Sequence, residues 1–346
     1  MSRALVISGG GSKGAFAVGV LKKLLSSWPG LSFDTYVGTS TGSLMAPLAA
    51  MEKYDLLETL YSNQKTENII RKFNIGDRLS EHSIFDANPL WDLINTYYTD
   101  DNYNELQASG KKIYLNATCL QSGNLVVFTN NPHPALSNNY ETKVLINADH
   151  FRRAVMASAC QPVFMPPVKV NQHVPGEPHP QYQFVDGGVR EYAGVQMAID
   201  NGATEIFTIL LSVAENKPDE VEFKTLFPIL EQTLDIFMTD VAKNDLVIPG
   251  IYNEALEYIA DVKDKMLQTG VKQSDIDSWF NTGAASNPFI GKKPIKLYGF
   301  RPLKPLGGGP GGLNFDVEEM KNMIAAGQQI ANDFIAALTP ADISWA

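Results

Sequence analysis

The start of the chain twice repeats one unit: an apolar run, a glycine turn, then a helical pattern. Ala4–Ser8 is rich in branched residues and runs directly into Gly9–Gly11. From Ala15 to Leu25 the residues Phe16, Val18, Val20, Leu21, Leu24 and Leu25 recur at helical spacing, with Lys22 and Lys23 outside. Thr35–Thr39 is the second run and also ends in a Gly-flanked turn. The small apolar stretch Leu44–Met51 then suits a helix buried against a sheet, with Pro47 tolerable only near its first turn. Strand, turn and helix, twice over, open a parallel α/β fold with helices on both faces of a mostly parallel central sheet.

Further along, Lys112–Leu120 and Leu125–Thr129 predict strands, and Val163–Val170 and Gln183–Val185 predict shorter ones. Ile206–Leu211 has the continuous apolar character of a buried parallel strand. From Phe223 to Trp279 the pattern is helical, and Ile295–Phe300 returns as one strand. Arg301–Leu313 is rich in Gly and Pro and lacks the strand–helix setting of a phosphate loop, so it reads as a connection. The economical organisation is one domain over residues 1–346, with a helical insertion at about 223–287 and a closing helix at about 317–338. A separate C-terminal domain would need a core around one lone strand.

The 346 residues carry a formal net charge of −10, which repels nucleic-acid phosphates and anionic membrane surfaces. An apolar patch could still meet a lipid interface. Cys119 and Cys160 show no metal or redox spacing and read as buried thiols. No leader-like segment precedes the first strand, and no uncharged apolar run reaches the ~18 residues that cross a bilayer. The expectation is a soluble cytoplasmic protein with peripheral membrane contact open to it; leaderless export is compatible with the same features. Nothing in the chain sets an oligomeric state.

Three short motifs carry chemistry. In Gly9-Gly10-Gly11-Ser12-Lys13-Gly14, successive glycines turn the chain sharply and present N–H groups at a helix start, which favours an anion. The spacing matches a dinucleotide-binding turn, but that reading needs an acid at the end of the second strand. Thr39-Ser40 stands there instead, and Asp34 lies at the strand's beginning. A P-loop also fails, because Lys13 precedes Gly14.

The second motif, Gly38-Thr39-Ser40-Thr41-Gly42, has the G-x-S-x-G form of a nucleophile elbow. Composition alone yields that pattern in roughly one chain of this length in ten, so the strand before it and the helix after it carry the argument. A serine needs a base. All five histidines, His82, His133, His150, His173 and His179, precede Asp186, against the Ser–acid–His order of α/β-hydrolases. Their loop and helix-start settings predict surface or capping roles.

The third motif, Phe184-Val185-Asp186-Gly187-Gly188, places a carboxylate at a strand end, with two glycines that let another loop approach. Such a carboxylate can take the Ser40 proton directly. Asp-Gly is also an ordinary turn dipeptide.

Taken together, the three motifs resemble the signature of the patatin-like phospholipase family. Ala157-Ser158-Ala159, Gln161–Pro167 and Asn201–Ile206 are similar to further family segments, and Ile295–Pro302 and the closing helix with Gly327 resemble its last strand and helix. The resemblance leaves out chiefly Phe223–Asn287. Lys13 stands where many members have Arg, and Tyr192-Ala193-Gly194 where many have Asn-Pro, which puts that loop's geometry in question.

The resemblance implies a three-layer α/β fold and a Ser40–Asp186 dyad that cleaves fatty-acyl esters of (lyso)phospholipids or acylglycerols through an acyl-enzyme. It implies an oxyanion hole at Gly9, Gly10 and Gly11 with Lys13 adding charge, and structural glycines at Gly14, Gly38, Gly42, Gly187 and Gly188. It implies no cofactor and no metal, and a lipid as the partner. Two other readings use the same residues: a catalytically silent lipid-binding scaffold, and a dinucleotide enzyme on Gly9–Gly14. An acyltransferase shares the chemistry, with an alcohol in place of water.

Overall fold

The computed structural model describes residues 2–73, 81–214, 222–281, 289 and 294–338. In chain order the strands are β1 (Arg3–Ile7), β2 (Thr35–Thr39), β3 (Lys112–Cys119), β4 (Leu125–Thr129), β5 (Glu141–Val144), β6 (Phe184–Asp186), β7 (Glu205–Ile209) and β8 (Lys296–Phe300). The helices are α1 (Gly14–Ser27), α2 (Thr41–Ala50), α3 (Tyr54–Asn63), α4 (Asn88–Tyr97), α5 (Asp100–Ala108), α6 (Ala148–Ala159), α7 (Val195–Asp200), α8 (Leu226–Gln268), α9 (Gln273–Asn281) and α10 (Val317–Ala337).

The sheet has eight strands in the order β5-β4-β3-β2-β1-β7-β8, with β6 also on β3. Five pairings are parallel; β4 and β6 run antiparallel to β3. Alternation along the strands divides the core between two faces. Leu5, Ile7, Phe207 and Ile209 join the larger core, which also holds apolar side chains of α1, α2, α6 and α10. Ala4, Val6 and Ile206 point to a smaller core that includes Val195, Met197 and Ala198 of α7. The central strands are therefore covered on both sides, which is why they read as continuous apolar runs.

β3 is the strand that positions the site. One of its edges carries β4 from Tyr114 to Thr118. The other edge carries two strands end to end: β2, which stops at Thr39 opposite Asn116, and β6, which stops at Asp186 opposite Ala117. The last residues of β2 and β6 thus abut.

Several local expectations change. Val163–Val170 is a series of turns with one bridge, Val168 to Phe184, because Pro162, Pro166 and Pro167 have no N–H to donate to a ladder. β5 was not legible, since its residues are polar and half-exposed at the sheet edge. Pro47 lies beyond the first turn of α2 and leaves the Ser43 carbonyl without its helical donor, yet α2 runs on to Ala50. Both cysteines are free and buried. α8 and α9 occupy the stretch where strand signals fade; residues 282–287 of the expected insertion, and 74–80 nearer the start, lie outside the described residues. Among the described residues no helix is long and apolar enough to cross a membrane.

α10 closes the larger core by crossing α1 at two glycines, Gly19 packing on the Ile324 carbonyl and Gly327 on the Phe16 carbonyl. A Cβ on Gly327 would overlap the Phe16 oxygen, a backbone atom that no rotamer change can move. Gly327→Ala gains ~1 kcal/mol in helix propensity, and the overpacking outweighs it. Urea unfolding should show a net loss of about 1–3 kcal/mol; a stabilised variant would refute the close crossing.

Candidate active site

β2 ends at Thr39 and α2 starts at Thr41, so Ser40 alone makes the strand-to-helix turn, at φ 57° and ψ −122°. Non-glycine residues rarely adopt this conformation, which has to be held from outside. The Ser40 N–H donates to Ser158 Oγ at 3.1 Å, and its carbonyl accepts from Ser43 N at 2.9 Å and Ser43 Oγ at 2.6 Å. Gly42 lets the start of α2 settle on β1, because a Cβ there would overlap the Ile7 carbonyl oxygen. Gly38 lies within β2 and Gly14 opens α1 beside Thr41 and Tyr61.

Asp186 is 1% exposed; its carboxylate accepts the Gly188 N–H at 2.8 Å and lies close enough to the Ser40 hydroxyl for that group to oppose the effect of burial. Its own N–H donates to the Cys160 carbonyl, and Thr118 Oγ1 donates to its carbonyl. Gly187 and Gly188 follow as a single 3₁₀ turn. Burial pushes the Asp186 pKa up to about 6, against the opposing effect of the Ser40 and Gly188 hydrogen bonds.

Gly10 and Gly11 both have positive φ and line the same pocket as Ser40 and Asp186. Among the described residues their N–H groups donate to no protein acceptor. The Gly9 N–H is taken by the Tyr192 carbonyl at 3.3 Å. Lys13 lines a second pocket with Tyr192 and Asp235. The connection Arg301–Leu313 has a role that sequence reasoning did not assign. Its Gly312 packs on Gly11 so closely that a Cβ on either residue would overlap the other's backbone or that of Gly10, and Gly311 and Leu313 enter the Ser40 pocket. Its run of glycines was the available signal.

The Ser40 pocket is a cleft of about 910 Å³ of empty volume that includes open solvent. Its walls are apolar, with Leu44, Leu60, Ile69, Leu90, Leu93 and Ile94 among them. α4 gives this space Leu90 and Ile94, which are otherwise buried, together with the more exposed Leu93 and Tyr97. The Tyr61 hydroxyl is bonded to Thr41 Oγ1, and the Tyr98 hydroxyl to the Leu44 carbonyl.

No histidine lines it. His150 departs from the expected surface or capping role: it is 3% exposed, packs against Phe128 and bonds to Asn171 through Nε2. Asn147 is the cap of α6, so His150 falls one turn in, on the buried face. His173 pairs with Asp149 and His179 stacks on Tyr182. Asp34 sits at the far end of β2, accepting the Arg3 N–H, where it could not reach a ribose held at Gly9–Gly14.

After Gly188 the chain turns on a half-buried acid pair. Asp245 of α8 accepts the N–H groups of Tyr192 and Ala193 at 2.6 and 3.0 Å, and Glu191 accepts that of Gly194 at 2.8 Å. A proline at 193 would have no N–H to give Asp245. Burial raises the pKa of both acids, and their mutual repulsion raises that of Glu191 further.

The fold and these motifs define the protein's class. A family model described as patatin-like phospholipase matches residues 5–199, more than half of the chain, and the chain belongs to this family of lipid hydrolases. The match ends before β7, α8 and α10. Among solved structures, VipD from Legionella pneumophila is similar with a TM-score of 0.38 and 9% identity, over 97% of this chain and 67% of that one. No curated protein matches it.

The acid pair generates a prediction. Because folding raises the Asp245 pKa, its contribution to stability is complete below the unfolded value and is lost as pH rises through the folded one. Asp245→Asn keeps an acceptor oxygen and removes the half-buried charge. Its melting temperature should exceed that of the parent by a few degrees at pH 8, with the gap closing below pH 4. A pH-independent difference would contradict the linkage.

Proposed function

We propose that the protein hydrolyses fatty-acyl esters of (lyso)phospholipids or acylglycerols through an acyl-enzyme on Ser40, with Asp186 as the only base. The observation that carries this reading is the Ser40 hydroxyl beside the buried Asp186 carboxylate, both lining a mostly apolar pocket that no histidine lines.

Ser40 Oγ attacks the acyl carbon as Asp186 takes its proton, and the carbonyl electron pair moves to oxygen. The N–H groups of Gly10 and Gly11 hold that oxyanion, each commonly worth ~3–4 kcal/mol to the transition state. Collapse breaks the bond to the alcohol, which leaves with the proton from Asp186. Water then gives a proton to Asp186, attacks the acyl-enzyme and releases the fatty acid, restoring the Ser40 hydroxyl. A base titrating at about 6 is ionised at neutral pH yet more basic than an ordinary carboxylate.

The Ser40 pocket suits an acyl chain, its walls being mostly apolar with Gln64 and Gln161 among the polar exceptions. The same reading takes residues 1–346 as one domain, with the helical segment near 223–287 as an insertion. The contribution of Met238 in α8 to the pocket supports it. Contact with a lipid interface is supported by α8, where Leu226, Ile229, Ile236, Phe237, Val247, Ile251 and Tyr258 are exposed. These seven fall within about 100° of helix arc, a face they share with Thr233, Asp240 and Glu254 among others.

Ser40→Ala should lower hydrolysis of a p-nitrophenyl fatty ester by on the order of 10⁴-fold with the fold intact, and Asp186→Asn by at least about 10²-fold. A fluorophosphonate probe should label Ser40 alone. In the parent, kcat/KM should rise with pH through about 6 and then level, since only ionised Asp186 accepts the proton. Near-normal turnover by Asp186→Asn would sink the dyad.

A further inference from the structure

Beside the Ser40 pocket lies a second cavity of about 620 Å³, and its lining is of a different kind. Lys13, Tyr192, Ser212, Asp235 and Thr239 give it polar walls. The two cavities share Gly10, Met238 and Gly311, so they meet at the loop whose Gly10 and Gly11 N–H groups have no acceptor among the described residues. An ester bound there has two halves, and only one of them fits an apolar wall.

The two charges in this second cavity do not cancel each other. Among the described residues Lys13 enters no ion pair, and Asp235 only accepts the Gly311 N–H at 3.4 Å. Arg301 adds a second positive field. It acts on Tyr192, and its buried Nε has no partner among the described residues. A neutral alcohol would leave Lys13 and Asp235, the two charges that line the cavity, without a counterpart. A purely anionic one would face Asp235. A group carrying both signs complements the cavity.

We propose that this cavity is the subsite for the alcohol half of the ester, and that it takes a zwitterionic phospho-amine head group. Lys13 meets the phosphate and Asp235 meets the ammonium. The inference rests on the ester-hydrolase reading of Ser40 and adds a specificity that the dyad does not contain. It also gives Lys13 a role at the leaving group in place of the oxyanion.

The test uses the full chain and three substrates with one acyl chain: lysophosphatidylcholine, lysophosphatidic acid and monoacylglycerol. The parent should prefer the first. Lys13→Met should lower kcat/KM for both phosphorylated substrates about tenfold relative to monoacylglycerol, the loss of one charge-assisted contact. Lys13→Arg should restore much of that ratio. Asp235→Asn, which keeps the acceptor for Gly311, should lower the lysophosphatidylcholine to lysophosphatidic acid ratio.

Equal losses on all three substrates in Lys13→Met would place Lys13 at the oxyanion and overturn the subsite. So would unchanged ratios in both Lys13→Met and Asp235→Asn; in either case the ester hydrolase would stand. A parent inactive on every ester would overturn both readings.

Discussion

One edge of β3 governs the arrangement of the site. β2 occupies that edge up to Asn116, and β6 occupies it from Ala117 onward in the opposite direction. Two strands that meet head to head on one edge must present their next residues to each other. For β2 that residue is Ser40; for β6 the last residue is Asp186 itself. Because β3 extends three residues past the end of β2, a strand of only three residues suffices to return the carboxylate to the level of the elbow. A slip of one residue would turn Asp186 to the other face and break the contact.

That placement has an electrostatic consequence. Asp186 is buried, and its proton affinity is set by burial against two hydrogen bonds, those from Ser40 and the Gly188 N–H. With no cation among these determinants, its pKa stays up near neutrality. An Arg alongside would lower it and weaken the base. The surrounding backbone is correspondingly fixed: Asp186 N–H on Cys160, Thr118 on the Asp186 carbonyl, Ser158 on the Ser40 N–H. α6 supplies Ser158 and ends next to Cys160, so one helix steadies both members of the pair.

Much of this was legible in the chain because local chemistry and fold agreed there. The glycine turns after β1 and β2 mark strand ends, and G-x-S-x-G set between a strand and a helix fits a tight elbow. Asp186 does stand at a strand end, but β6 is antiparallel to β3 and comes beside the end of β2 through the length of β3. Register of that kind is a long-range property, and three residues carry no periodicity that would reveal it. The polar edge strand β5 and the buried His150 were missed on similar grounds, since an edge and a helix face are decided by packing partners distant in sequence. The glycine run at Gly307–Gly312 was visible, but its contact with Gly11 joins segments some 300 residues apart.

That last contact links the two halves of the site. Gly11 and Gly312 approach so closely that neither tolerates a side chain, so the position of the glycine loop depends on a connection outside the family match. The same connection gives Gly311 to both cavities and its N–H to Asp235 of α8. α8 in turn contributes Met238 to both cavities and holds the loop after Asp186 through Asp245. Ser40, Asp186 and the glycine loop lie within residues 5–199, while Met238, Gly311, Leu313 and Phe315 bring later segments to the same pocket. Residues inside and outside the family match are thereby joined where backbone meets backbone at Gly11 and Gly312.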